Sequence, residues 1–322
     1  MRILVTGGAG FIGSHLAAYY LKKGDEVIVI DDLSTGQTEN LKSLMQHPRF
    51  RFHKKNILTW KGLSQALENI DRVYHLAAIV GMFYVISHPI ETLQVNINST
   101  MKLMETINKL GIKPLVIVAS SSEVYGNQHK ELHEGLPLIL ENTHTNHAAY
   151  AISKLCDESI ATSFWHKFQI PTITIRIFNT VGRNQLSRYG MVLPRLIKQA
   201  INNENMTVFG DGTQRRSFCN VIDTVNLIDL LAENQQSIGE IINVGNNEEI
   251  SINSLASKIK ELCSSHSSIT HIPFEEVYQH DYMHITERKP DLTKLLSFTH
   301  YTYQWNLEQT IIDMYSYYKS KK

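Results

Sequence analysis

A doubly wound parallel α/β sheet is predicted by three features of this 322-residue sequence. The first is the stretch Val5-Thr6-Gly7-Gly8-Ala9-Gly10-Phe11-Ile12-Gly13, set between an apolar run, Ile3 to Val5, and a helical pattern opening near Ser14. A chain turning so sharply from strand to helix needs glycine where a side chain would clash, and the bare helix N-terminus offers N–H donors to a pyrophosphate. The second is another apolar run, Glu26 to Ile30, ending at Asp31. Asp31 stands about 20 residues on, where a dinucleotide-binding βαβ unit puts a carboxylate against the adenosine ribose hydroxyls. The third is continued alternation of helical patterns with near-continuous apolar strands, as in a parallel sheet covered on both faces.

The spacing Gly7-x-x-Gly10-x-x-Gly13 sets its first glycine one residue earlier than the G-x-G-x-x-G fingerprint, and its strand–turn–helix context gives it weight. Gly7, Gly10, Phe11, Ile12 and Gly13 are therefore expected to hold the dinucleotide. Asp31 followed by Asp32 would repel a 2′-phosphate, which favours NAD over NADP.

Bulk properties narrow the classes. A length prior of roughly 150 residues per domain suggests one large or two interlocked domains. Lys+Arg and Asp+Glu both total 31 and 43% of residues are hydrophobic, so a substantial core is expected and neither a nucleic-acid nor a membrane partner is. Cys156, Cys219 and Cys263 are odd in number and far apart, which argues against a disulfide framework or a cysteine zinc site. A strand begins at Met1-Arg2-Ile3 and no apolar run approaches the roughly 18 residues of a membrane helix, so a cytoplasmic protein is expected. The pairs His129/His133, His144/His147 and His280/His284 lie in polar, loop-like stretches and are expected to be solvated rather than metal-binding.

Along the chain, Leu33 to Gly36 reads as a loop, and a short strand from Phe50 to His53 leads to Lys55-Asn56-Ile57. A strand from Asp71 to Leu76 ends in His75-Leu76-Ala77-Ala78, whose small residues admit close approach of a cofactor. A helix is predicted over Pro89 to Gly111, with Leu93, Ile97, Met101, Met104 and Ile107 on one face. The strand Pro114 to Ala119 runs into Ser120-Ser121-Ser122-Glu123-Val124-Tyr125-Gly126. Ligands of open α/β sheets gather at the carboxyl ends of strands, so this polar cluster is placed beside the nicotinamide. Ala148-Ala149-Tyr150-Ala151-Ile152-Ser153-Lys154 opens a helix reaching His166. Tyrosine and lysine four apart share a helical face, so the ammonium is expected to lower the phenol's pKa and make it a usable base.

The ordered motifs now in view resemble the extended short-chain dehydrogenase/reductases of the nucleotide-sugar epimerase, dehydratase and decarboxylase group. The resemblance continues through Arg176-Ile177-Phe178-Asn179, Val208-Phe209-Gly210-Asp211-Gly212-Thr213-Gln214-Arg215-Arg216-Ser217-Phe218, Asn243-Val244-Gly245-Asn246 and Arg288-Lys289-Pro290-Asp291. It implies a Rossmann-type NAD-binding domain over 1–180, with a return of the chain at about 215–245, and a smaller α/β substrate-binding domain over 181–322. It also implies a homodimer paired through two helices, near Thr92–Leu110 and Ala151–His166. Asn56, Ile57, Leu76, Ala77, Ala78 and Asn96 are added to the expected NAD contacts, together with Tyr150 and Lys154. Ser122, Asn179, Val192, Val208, Phe209, Arg216 and Arg288 are the expected substrate contacts, with the arginines gripping phosphate or a sugar carboxylate. Asn56 stands where many relatives carry aspartate, and Asn220 replaces a usual histidine.

The implied reaction passes through a 4-keto sugar, with Tyr150 as base, Ser121 guiding the proton and Lys154 orienting the nicotinamide ribose. Ser121-Ser122-Glu123-Val124-Tyr125-Gly126 is similar to the UDP-glucuronate decarboxylases, and Ser122 lacks the acid that 4,6-dehydratases use. Against decarboxylation, Ile79-Val80-Gly81-Met82 lacks their Pro-Ala-Ser run, and Asn184-Gln185-Leu186-Ser187-Arg188-Tyr189-Gly190 is a differently built substrate loop. A UDP-sugar 4-epimerase ranks first, a UDP-glucuronate decarboxylase second and an eliminating dehydratase third, with Glu123 catalytic in the last two. A non-catalytic NAD sensor is the alternative of another class, disfavoured because Tyr150, Lys154 and Ser121 are all kept.

Overall fold

The computed structural model describes residues 1–128, 131–140, 143–187, 190–278 and 287–322. His129, His280, His284, Arg188 and Tyr189 lie outside them. The chain begins β1 (Arg2–Thr6), α1 (Phe11–Lys22), β2 (Glu26–Asp31), β3 (Phe50–Lys54), α2 (Leu63–Ala66), β4 (Arg72–His75), α3 (Met82–Ser87) and α4 (Pro89–Leu110). It continues with β5 (Leu115–Ser121), α5 (Ala148–Phe168), β6 (Thr172–Ile177), β7 (Thr180–Val181), α6 (Val192–Asn202), β8 (Met206–Phe209), β9 (Arg215–Ser217), β10 (Cys219–Asn220) and α7 (Val221–Glu233). The remainder is β11 (Ile241–Val244), β12 (Glu249–Ser251), α8 (Ile252–Leu262), β13 (Ile269–Ile272), α9 (Phe274–Tyr278), α10 (Thr293–Thr299) and α11 (Leu307–Lys319).

Seven strands form one parallel sheet in the order β11-β6-β5-β4-β1-β2-β3. Its strands are apolar on both faces because helices cover both. Ile3, Val5, Val27 and Val29 pack with Leu16 and Tyr20 of α1 and Val225 and Ile228 of α7. Their neighbours Leu4, Ile28 and Ile30 turn to the other face, with Leu103 and Met104 of α4 and Ala161 and Phe164 of α5. The strand order reverses between β1 and β4, which opens a crevice at their carboxyl ends.

A separate core follows residue 180, where Leu193, Leu196 and Ile197 of α6 meet Leu255 and Ile259 of α8 and Ile311 and Met314 of α11. The chain returns to the large sheet through α7 and β11, so late sequence completes the edge beside β6.

Helix α4 departs from its predicted face. Its buried residues include Thr92, Asn96, Ser99 and Thr100 besides Leu103, Met104 and Ile107, whereas Met101 is exposed. The first half of the helix turns polar groups inward because polar partners wait there. Asn96 donates to Ile79 O at 3.2 Å and accepts from Ile79 N at 2.7 Å, and Thr100 reaches Asp157 on α5.

Candidate active site

The glycine turn has the geometry of an anion cradle. Gly7 adopts φ +70°, and a Cβ there would stand 2.7 Å from Ala77 N; one on Gly13 would stand 2.4 Å from Gly7 O. Both positions exclude any side chain, and the backbone closes tightly under the crevice. Helix α1 starts at Gly10 with no side-chain cap among the described residues and no acidic residue in its first turn, so its leading N–H groups are available to an anion.

Asp31 closes β2 beside this turn. Its Oδ2 accepts from Ala9 N at 2.9 Å and its Oδ1 from Leu33 N at 2.8 Å. Burial is the main influence on the carboxyl and raises its pKa, the two backbone bonds oppose it, and Asp32 adds to the rise. Asp32 accepts from Ser34 N at 2.9 Å and from the Asn56 amide at 2.8 Å. Asn56 thus ties two loops together and also faces the cavity.

The catalytic candidates converge from two elements. Ser121 ends β5, and its Oγ accepts from Glu123 N at 3.2 Å, capping the 3-10 turn Ser122–Tyr125. Tyr150 lies in the first turn of α5, hydrogen-bonded to Ser121, and Lys154 follows one turn later. The Lys154 ammonium donates to Ala119 O at 2.9 Å and to Asp157 Oδ2 at 3.1 Å, and stands 6.0 Å from the Tyr150 ring centroid. The Tyr150 phenol is held above its ordinary pKa, by burial first and then by Glu123; Ser121 lowers it, Asp157 raises it and Arg288 lowers it. Lys154 is expected to lower the phenol's pKa, and in this arrangement burial outweighs the cations: the Lys154 charge is shared with Asp157, and Arg288 adds a smaller lowering influence.

One cavity of about 500 Å³ runs from the glycine turn past Tyr150 to the later part of the chain. Gly7, Gly10, Phe11, Ile12, Gly13, Asp31, Asp32, Asn56, Ile57, Leu76, Ala77 and Ala78 line one end. Ser121, Ser122, Glu123, Tyr150 and Lys154 line its middle, and Asn179, Val192, Phe209, Arg216 and Arg288 face the same space. Two expected contacts stand off it. Asn96 is buried behind the wall, where it orders the loop after β4, and Val208 is 0% exposed in the core of the later layer. Strand β8 alternates its side chains, so Phe209 faces the cavity and Val208 cannot.

A family model for the NAD dependent epimerase/dehydratase family matches residues 3–245. The chain belongs to that family. It is 36% identical over 295 residues to the UDP-N-acetyl-alpha-D-glucosaminuronate decarboxylase of Bacillus cytotoxicus, covering 91% of this chain and 90% of that one. It is 32% identical over 294 residues to UDP-glucuronic acid decarboxylase 1 of Arabidopsis thaliana, covering 91% of this chain and 64% of that longer protein. Among solved structures, the UDP-glucuronic acid 4-epimerase of Bacillus cereus, in complex with UDP-glucuronic acid and NAD, superposes with a TM-score of 0.90 at 31% identity, over the full length of both chains.

The residues of this epimerase/dehydratase family member fit NAD on the structure's own terms. The Gly7 and Gly13 approaches leave room only for backbone, the α1 terminus suits a pyrophosphate, and the acceptor-rich Asp31 suits ribose hydroxyls rather than a phosphate. Sequence reasoning did not assign His147, Arg195, Phe274 and Tyr278 to the site, and they are among the residues that line the cavity. His147, expected to be solvated, is only 7% exposed, with Nε2 3.9 Å from Glu123 Oε2. The Arg195 guanidinium stacks 3.8 Å from the Phe209 ring centroid, with Tyr278 edge-on at 5.8 Å. Burial lowers the Arg195 pKa to about 10. No spacing signal marks these residues: Arg195, Phe209 and Tyr278 meet through packing in the later layer, and His147 meets Glu123 only where α5 packs beside the end of β5.

Proposed function

We propose that this enzyme oxidises a UDP-hexuronate at C4 and releases carbon dioxide from the resulting keto acid. The observation that carries this reading is that Glu123 and Arg288, the latter 8% exposed, line the same cavity as Tyr150, near enough that both act on its hydroxyl electrostatically. A guanidinium at that place suits a sugar carboxylate, and arginine's planar fork binds one bidentately. Glu123 sets a second negative charge nearby, which disfavours keeping an ionised carboxylate over forming neutral carbon dioxide.

The chemistry NAD supplies when bound is reversible hydride acceptance. Tyr150 takes the C4 hydroxyl proton, and Ser121, bonded to Tyr150, holds the same oxygen and keeps the proton's path short. Lys154 would hold the nicotinamide ribose when NAD is bound. Asn179 and Arg216 hold the diphosphate, and Phe209 with Arg195 offers a stacking surface to the base. The C4 ketone is then an electron sink β to the carboxylate, so the C5–C6 bonding pair flows toward it as carbon dioxide leaves, and the enolate formed takes up a proton at C5.

The second reading is 4-epimerisation with the carboxylate retained, favoured by the likeness to the Bacillus cereus epimerase. Mass spectrometry of the products from UDP-glucuronate, UDP-N-acetylglucosaminuronate and UDP-glucose, each with NAD, separates the two. Loss of carbon dioxide from a uronate supports the first, and an equal-mass C4-inverted product supports the second. UDP-glucose as the preferred substrate would count against any uronate role for Arg288.

A further inference from the structure

Resting on the reading of Tyr150 as the base, we propose that Asp157 is a positioning residue of the catalytic centre. Its carboxylate governs how much of the Lys154 charge reaches Tyr150, and so sets the pH range in which the base works. Asp157 lies one turn beyond Lys154 on α5, is 1% exposed, and accepts from the ammonium at 3.1 Å through Oδ2. Its Oδ1 accepts from the Thr100 hydroxyl at 2.6 Å.

A directional polar chain stands behind that contact. Thr100 donates to Asp157, so its oxygen is left to accept from His75 Nε2 at 3.1 Å, and His75 Nδ1 then accepts from the Thr6 hydroxyl at 2.8 Å. The geometry calls for the Nε2–H tautomer of a neutral imidazole, and burial does hold the His75 pKa down, to about 3, with Lys154 adding to the drop. Every link points toward Asp157 and presents it with donors, which is the arrangement of an ionised carboxylate.

The consequence is electrostatic. An ammonium paired with a carboxylate at 3.1 Å acts on a tyrosine whose ring centroid is 6.0 Å away as a dipole, not as a full charge. The other ionisable groups facing the pair are Glu123 and His147 in the cavity wall, Arg288 from the later chain, His75 from β4, and Glu158, which is bonded to Arg176 at 2.8 Å. None of these touches the Lys154 ammonium in the way Asp157 does.

Asp157→Asn removes the charge and keeps the shape: its carbonyl accepts from Lys154, and its amide donates to Thr100, whose hydroxyl turns to Asn96 O, now at 3.2 Å. The unmasked ammonium then favours the phenolate. Ionisation of Tyr150 is read without any sugar, as the difference in phenolate ultraviolet absorbance between each protein and its Tyr150→Phe counterpart, NAD-free and NAD-loaded. The acid limb of kcat/KM on UDP-glucuronate gives the second readout. Both are expected to move to lower pH by about one unit in Asp157→Asn and in Asp157→Ala. A Tyr150 step that stays put in a variant with wild-type melting temperature overturns the proposal, as does lost activity without a pH shift. Should both variants fail to fold, a Tyr150 step in NAD-free wild type at or below the ordinary tyrosine value of about 10 overturns it. If no sugar is turned over but the step moves, the functional reading fails and the role of Asp157 stands.

Discussion

Tyr150 was legible because Lys154 is one helical turn away and Ser121 ends a strand that is apolar from Leu115 to Ala119. Asp157 and His147 were not, since a carboxylate inside a helix and a histidine ahead of one acquire meaning only when Lys154 and Glu123 pack against them. Tyr150→Phe is expected to cut turnover by about 10²–10⁴-fold, the usual contribution of a general base, while NAD affinity changes little. Near-wild-type rates would remove Tyr150 from that role. Asp31→Ala is expected to weaken NAD by about 1–3 kcal/mol and to narrow its advantage over NADP in titrations of both. His75 carries a stability prediction. Its folded pKa of about 3 lies below the ordinary 6.5, so the unfolded chain binds the extra proton first as pH falls. Stability is complete above about 6.5 and is lost toward 3, by up to about 1.4 kcal/mol per pH unit. Denaturant midpoints should therefore fall more steeply with acid in wild type than in His75→Asn.

At the scale of elements, the sequence reading placed β1, β2, β5 and α5 close to their observed bounds, whereas α1 opens at Phe11, ahead of the expected start near Ser14. The inward face of α4 was read in part: Met104 and Ile107 are buried as expected, but Thr92, Asn96, Ser99 and Thr100 look like surface residues until their partners on α5 and in the loop after β4 are known. This leaves Leu93 and Ile97 half-buried and Met101 exposed. Such a face on α4, beside α5, suits the pairing of two copies through these helices. Light scattering at micromolar concentration should give a dimer for wild type and a monomer for Met101→Glu; a monomeric wild type would contradict the pairing. Gly13→Ala addresses the turn itself. A Cβ 2.4 Å from Gly7 O forces the cradle open, so NAD binding should be lost before the fold is.

Over the whole molecule, the large sheet is built early and finished late, and the late chain also brings Arg216 and Arg288 to a cavity whose other wall is the glycine turn. The sheet was readable from its apolar runs. The aromatic end of the cavity was not, because Tyr278, stacked on Phe274, meets Phe209 only through the packing of the later layer. Arg288, 8% exposed and lining the same cavity as Tyr150, is the residue to which the proposed reading gives recognition of a substrate carboxylate. The most direct test of that account is the mass of the product made from a UDP-hexuronate with NAD, by wild type and by Arg288→Gln. The account predicts loss of carbon dioxide by wild type, and a KM for the uronate raised about 10-fold or more in the variant, the scale of a lost charge-assisted hydrogen bond. A product of unchanged mass, or a variant that handles uronates as wild type does, would contradict it.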